Sequence, residues 1–287
     1  MLDMTPKLIP CPVCTSEDFD VLDERERDRG LHRNTVCRRC GMVWVNPRFD
    51  EGAYLEFYRK NYTTDVYGLD GTPEKIRDVI TWRTRRSREK ASLFPAFWPK
   101  DGTVLEIGSG IGAFLASLRE DYACRVFGVE PSPAFVELSK TELNLPVYQG
   151  SFNEWFQEQP EGFSEKFDRI VLDQILEHLL DPAESLARLR SLLADDGEIF
   201  ISVPNVSAPK EKPEDFFIFE HVSSFSPFPL CLLLLRSGFK PTGLVAERPG
   251  SLQITAAPIQ STIPMLALES WERPYSKQEL LNGFAQL

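Results

Sequence analysis

Two short stretches constrain this chain more than the rest of it: VLEIGSGIG at 104–112 and GVEPS at 128–132. A short apolar run, Val104, Leu105 and Ile107, carries one acid, Glu106, near its end. Glycines follow at alternate positions, Gly108, Gly110 and Gly112. A helical pattern comes next (Phe114, Leu115, Leu118), and then a second apolar run, Val126 to Val129, closes on Glu130. The order is strand, glycine turn, helix, strand, acid. Glycine lets a backbone turn sharply and approach a ligand closely. Exposed amides of a helix N-terminus lie beside such a turn. An acid at the end of the second strand is placed to accept hydrogen bonds from ribose hydroxyls.

The spacing decides between ligands. Dinucleotide folds carry G-x-G-x-x-G, which sets a pyrophosphate on the helix. Here the pattern is E-x-G-x-G-x-G. It resembles motif I of the class I S-adenosylmethionine (SAM) methyltransferases, and Glu130 matches their ribose-binding acid. SAM has no phosphate; it has a sulfonium, an amino group and a carboxylate, which an acid at Glu106 suits. The resemblance implies a cofactor socket made of Glu106, Gly108, Ser109, Gly110, Gly112, Glu130, Pro131 and Ser132. It further implies Ser151 and Phe152 beside the adenine, and Asp173 and Gln174 at the methionine end. The plain alternative is a tight strand-helix turn without a ligand.

The chain has 287 residues, enough for one large domain and a small module. Acids outnumber bases 43 to 32, a formal charge of -11, which argues against a non-specific nucleic-acid surface. No apolar run approaches the ~18 residues of a membrane span, and the start of the chain does not read as a signal peptide. A cytoplasmic protein is the expectation.

Four of the six cysteines form two C-x-x-C pairs, Cys11/Cys14 and Cys37/Cys40, with 22 residues between them. Two such turns can point four thiolates at one centre, the form of a structural zinc ribbon. An empty site and an iron centre are the alternatives. Disulfides are disfavoured in a cytosolic chain. Cys124 and Cys231 stand in apolar surroundings and read as core residues.

Further along, periodicity predicts a helix from about Asp50 and another over 74–94, the second carrying Arg83, Arg85, Arg86, Arg88 and Lys90. That basic run reads as a solvated face or as a grip on substrate phosphate. Strands are expected at 146–152, 167–173 and 198–203. A capped helix is expected from Asp181-Pro182, and a hairpin from 239–246 and 251–257. The expected fold is α/β: a doubly wound, seven-stranded, Rossmann-like methyltransferase sheet with a small N-terminal zinc ribbon. The expected division is ribbon 1–48, helical connector or cap 49–98, core 99–260 and helical tail 261–287.

Beyond motif I, the chain resembles bacterial methyltransferases with an N-terminal zinc ribbon, most closely the C-methyltransferases of nucleotide-linked keto-sugars. The residues that carry this likeness are the paired C-x-x-C, the Asn46-Pro47 step with its aromatic helix, LEHLLDP at 176–182, SVPN at 202–205 and FEHVSSFS at 219–226. It implies SAM and structural zinc as cofactors and a small-molecule acceptor, a nucleotide-linked sugar first among them. It implies no nucleic-acid partner, and the oligomeric state stays open. Carbon methylation needs a base beside a carbonyl, and histidine suits that role near pH 7. Of three histidines, His221 matches the family's base, with Glu220 as its partner. His178 lies just after the fourth strand, in a segment common to many such cores. Tyr62 or Tyr58 is placed to close the pocket. Oxygen or nitrogen methylation and a non-catalytic SAM-binding zinc protein are the alternatives. A nucleic-acid methyltransferase is opposed by the acid surplus, and DQIL (173–176) stands where an Asn-Pro-Pro-aromatic motif would be.

Overall fold

The computed structural model describes residues 5–27, 30–60, 72–161, 166–245, 250–259 and 276–284. The chain divides into two compact units, one of residues 1–51, 174–191 and 201–287, the other of residues 52–173 and 192–200.

The first unit begins with three antiparallel strands, β1 (Phe19–Arg27), β2 (Gly30–Cys37) and β3 (Val43–Val45). Pro47 follows, in a cis Asn46-Pro47 peptide.

The second unit repeats β-α steps. Helices α1 (Glu51–Lys60) and α2 (Pro73–Ala91) precede them. Then come β4 (Thr103–Ile107), α3 (Ala113–Tyr122), β5 (Arg125–Glu130), α4 (Pro133–Leu143), β6 (Val147–Gln149), α5 (Phe152–Glu158) and β7 (Phe167–Asp173). Strand β4 pairs in parallel with β5 on one side and β7 on the other, and β6 extends the β5 edge. Parallel strands covered on both faces are almost wholly apolar, and in β4 every residue after Thr103 is buried. Helix α2 stops where the Trp98 indole N–H donates to the Ala91 carbonyl (2.9 Å). That bond satisfies one of the helix's terminal oxygens.

The remainder of the first unit is a helical turn (Leu176–His178), α7 (Pro213–Phe216), β9 (Ser223–Ser224), α8 (Pro227–Arg236), β10 (Phe239–Val245), β11 (Leu252–Pro258) and α9 (Lys277–Phe284). Helix α6 (Pro182–Leu192) and strand β8 (Leu193–Val203) run through the junctions in the chain. The strand order is β10-β11-β8-β7-β4-β5-β6, a mixed seven-stranded sheet of the expected kind. β10 and β11 form the expected antiparallel hairpin.

Three boundaries differ from the sequence expectation. The strand expected over 146–152 ends at Gln149, because Ser151 caps α5. Its hydroxyl accepts from the Glu154 amide (3.2 Å), and the Glu154 carboxylate accepts from the Ser151 amide (2.8 Å). That is the reciprocal S-x-x-E box, legible in SFNE but read as strand. The fifth strand starts at Leu193 rather than at 198. A side chain on Gly197 would meet the Phe167 carbonyl at 2.8 Å, so only glycine admits this close approach. The second helix ends at Ala91, short of Leu93 and Phe94.

The core of the second unit gathers on Phe200. Its ring centroid lies 5.5 Å from Trp98, 5.8 Å from Phe114 and 5.9 Å from Phe94. Phe200 is fully buried. Phe200→Ala is expected to lower unfolding stability by ~3–5 kcal/mol, the range for emptying a buried aromatic site. Denaturant unfolding followed by tryptophan fluorescence measures it, and a change below ~1 kcal/mol would contradict this packing.

Candidate functional site

The glycine bend is built by backbone that only glycine adopts freely. Gly108, Gly110 and Gly112 have φ of 67°, 54° and 80°. The amides of Gly108 and Ser109 both donate to the Val129 carbonyl, at 2.7 and 3.1 Å. They fold the bend over the end of β5. A side chain at Gly112 would sit 2.3 Å from a Leu145 methyl, and one at Gly128 would sit 2.6 Å from the Ser109 hydroxyl. Glu130 then reaches back. One carboxylate oxygen accepts the Gly110 amide and the other accepts the Ser132 amide, each at 2.8 Å. Both oxygens are fixed in direction, and each keeps a lone pair for a ligand hydroxyl. Burial pushes the Glu130 carboxyl up to about 7, while the two amides pull the other way.

Glu106 is 3% exposed, and its Oε2 is a buried oxygen with no hydrogen-bond partner. Burial and then the neighbouring charge of Asp173 raise its carboxyl well above the usual range, and Lys90 and Arg83 act against that. Lys90 forms an ion pair with Asp173. Arg83 places a guanidinium nitrogen 3.5 Å from where a Gly110 side chain would begin. Three carboxyls (Glu106, Glu130, Asp173) therefore share this place with Lys90 and Arg83. SAM carries an ammonium, and an unpartnered carboxylate oxygen is what an ammonium needs. These residues fit SAM.

The basic helix resolves into two groups. Arg85 pairs with Glu89, and Arg88 with Glu120 and Asp121, all on an exposed face. Arg83 and Lys90, seven residues and two turns apart, face the glycine bend instead. Sequence reasoning treated the run as one block, although i, i+7 spacing puts these two on one face.

A cleft of ≈ 240 Å³ lies past the ends of β5 and β6, lined by Pro131, Tyr148, Gln149, Gly150 and Glu154 among others. Ser151, expected beside the adenine, already accepts the cap bond, so its hydroxyl still offers its hydrogen and one further lone pair. Phe152 is buried and stacks with Trp155 at 6.3 Å.

The first unit holds the four cysteines together. Cys11, Cys14, Cys37 and Cys40 are all buried, with sulfurs 3.6 Å apart for Cys11/Cys40 and 3.4 Å for Cys14/Cys37. Bonds of ~2.3 Å in a tetrahedral zinc-thiolate centre put sulfurs at about this separation. The site residues fit zinc. Hydrogen bonding from Cys11 lowers the Cys14 thiol to about 7 and lowers Cys37 further. Cys124 is buried as expected, whereas Cys231 on α8 is only partly covered.

The same unit carries the histidines. His178 Nδ1 lies 2.9 Å from the Glu220 carbonyl and His221 Nδ1 lies 3.1 Å from the Phe216 carbonyl. A carbonyl only accepts, so each Nδ1 bears a hydrogen. The two rings lie 5.0 Å apart. One atom each of Glu177, His178 and His221 lie within 4.8 Å of one another, and Glu177 is buried. Burial lowers His178 to about 3 and His221 to about 4. Glu220 is buried beside His221. Gln174 holds a left-handed φ of 60°, its amide donating to the Ser202 carbonyl and its side chain to the Ser202 hydroxyl. Tyr62 lies outside the described residues. Among the described residues no helix is long and apolar enough to cross a membrane.

Residues 79–243 match the family described as methyltransferase domain. A ubiquinone biosynthesis O-methyltransferase of Histophilus somni is 30% identical over 107 residues, covering 36% of this chain and 44% of the relative. The C-methyltransferase NovU of Streptomyces niveus is 27% identical over 228 residues, covering 78% of this chain and 50% of the relative. The chain thus spans about half the length of these curated relatives. In fold, it is similar to a chain of the Haloferax volcanii complex of the Trm112 methyltransferase activator with a methyltransferase (TM-score 0.53, 16% identity, 68% of this chain and 97% of that one). It is also similar to the magnesium protoporphyrin IX methyltransferase of Synechocystis PCC 6803 (TM-score 0.50, 15% identity, 72% of this chain and 99% of that one).

Glu130 supplies the prediction here. Its folded pKa is raised, so the stability tied to its protonation is present at low pH and lost as pH rises from about 4.5 through about 7. Ligand-free protein should melt lower at pH 8 than at pH 6, and Glu130→Gln should flatten that difference. The same variant should bind the demethylated product S-adenosylhomocysteine ~10–100-fold more weakly, the loss of a charged acceptor worth ~1.5–3 kcal/mol. Thermal melts and calorimetry read both effects; unchanged affinity would remove Glu130 from the site.

Proposed function

Because this chain belongs to the methyltransferase domain family, we propose that it transfers the methyl group of SAM to a small polar acceptor. The observation that carries the reading is the glycine bend locked onto Glu130, beside a buried Glu106 oxygen with no hydrogen-bond partner. Bound there, SAM supplies an electrophilic methyl group on a sulfonium whose leaving group is neutral. The chain's own residues do the rest. Glu130 receives the ribose hydroxyls and Glu106 the ammonium. Arg83 and Lys90 balance the surrounding carboxylates. Asp173 and Gln174 mark the methionine end.

The acceptor chemistry falls to the histidines. His221, with Nδ1 committed to the Phe216 carbonyl and its pKa lowered to about 4, is in base form throughout the physiological range. The lowered value leaves His221 a weak base, so the choice of acceptor rests on the family resemblance and not on that shift. We assign carbon methylation of a keto-sugar type acceptor, nucleotide-linked by the family resemblance, with His221, its ring oriented by the Phe216 carbonyl, taking the proton and Glu220 and His178 beside it. NovU, named a C-methyltransferase and matched over most of this chain, supports that assignment. Oxygen methylation is the second reading, favoured by relatives named as ubiquinone biosynthesis O-methyltransferases. The four thiols hold structural zinc in this reading, which fixes residues 1–48 as a ribbon.

Mass spectrometry of ligands that co-purify with the protein identifies cofactor and acceptor. With that acceptor, His221→Ala is expected to lose ~10²–10⁴ of turnover while SAM affinity is kept. Near-normal turnover would refute the base assignment. Exchange of solvent deuterium into the acceptor carbon separates carbon from oxygen chemistry.

A further inference from the structure

We propose that the four-cysteine centre positions the histidine pair: metal at Cys11, Cys14, Cys37 and Cys40 holds β3, β3 holds β9, and β9 fixes the two carbonyls that orient His178 and His221. The proposal rests on the zinc reading of the four thiols.

The connection runs through one sheet of four strands, ordered β1-β2-β3-β9. Its last strand comes from nearly two hundred residues downstream of the other three. The Cys37–Cys40 turn closes with the Gly41 amide on the Cys37 carbonyl (3.0 Å) and the Cys37 amide on the Met42 carbonyl (2.8 Å). Two residues past Gly41 the chain is β3. There Val43 and Trp44 pair with Ser224 and Ser223 of β9, and the Val45 amide donates to the Val222 carbonyl (3.0 Å).

Val222 adjoins His221. Going back along the chain, the Val222 amide donates to the Glu220 carbonyl (3.1 Å), the same oxygen that takes the His178 Nδ1 hydrogen. The Phe216 carbonyl takes the His221 Nδ1 hydrogen, and Phe216 and Phe217 lie in one apolar cluster with Val36 of β2 and Val43 of β3. Both orienting carbonyls are thus carried by a segment that β2 and β3 hold by pairing at one end and packing at the other. Its far side is tied by the Val206 amide on the Phe225 carbonyl (3.0 Å). A two-residue strand does not persist without its partner, and β3, three residues long, is held between the cysteine turn and β9. Four buried thiols freed of metal would repel or take up protons, and the energy that folds such a turn would be lost. The effect reaches the two histidines through the main-chain pairing of β3 with β9 and the packing of Phe216 and Phe217 on Val36 and Val43.

The chain's three histidines make this readable by nitrogen-15 NMR of the imidazole rings, assigned with single His→Gln variants. In zinc-loaded protein His178 and His221 should give neutral Nδ1–H rings. Chelation should move both signals and raise their pKa toward 6.5, the ordinary value. Zinc should restore them. Affinity for S-adenosylhomocysteine should change by less than about twofold, as for sites that do not share partners. Val45→Pro removes the amide bonded to Val222 and leaves all four thiols; it should shift the same two rings with zinc still bound. Unchanged rings in metal-free protein, or in a zinc-bound Val45→Pro variant, would overturn the proposal. Protein that takes up neither zinc nor cobalt(II) at its thiols would sink the metal reading and this inference together. Failure to bind S-adenosylhomocysteine would sink the SAM reading alone, since the histidine signals are read without it.

Discussion

The glycine bend depends on one carboxylate. Glu130 accepts an amide from the glycine bend and an amide from the start of α4, so a single side chain joins the ends of two strands and the heads of two helices. Without glycine at Gly110 the backbone could not present that amide, because its φ of 54° is costly for any residue with a side chain. Without burial the carboxylate would not be held in one direction. The bend and the acid therefore specify each other.

That arrangement has a cost, which the ligand is suited to offset. Three carboxyls gather in a largely dry place with two cations, and burial raises the proton affinity of two of the three. A cationic donor suits this place, because it can partner the otherwise unpartnered Glu106 oxygen. A phosphate would do the reverse. The absence of a dinucleotide motif and the presence of the acid at Glu106 are two aspects of one electrostatic choice.

Much of this was legible in the sequence. The β-α alternation, the glycine spacing and the paired C-x-x-C follow local rules, and local rules place the second unit's strands and gather the four thiols. Where reading failed, a second rule competed with the first. Val147 to Phe152 alternates like a strand, but the S-x-x-E box at Ser151 wins because it satisfies two helix-end amides at once. Arg83 and Lys90 were lost inside a basic run whose other members pair on the solvent side. The fourth strand of the ribbon sheet was out of reach altogether. Ser223 and Ser224 have no strand periodicity, and their pairing with β3 is a tertiary fact.

His178 and His221 are both set by the main chain. Nδ1 of each ring is committed to a backbone carbonyl, which fixes tautomer and ring plane. Burial then makes both rings weak bases. A tautomer fixed by main-chain carbonyls is only as well defined as the strand that holds those carbonyls in place.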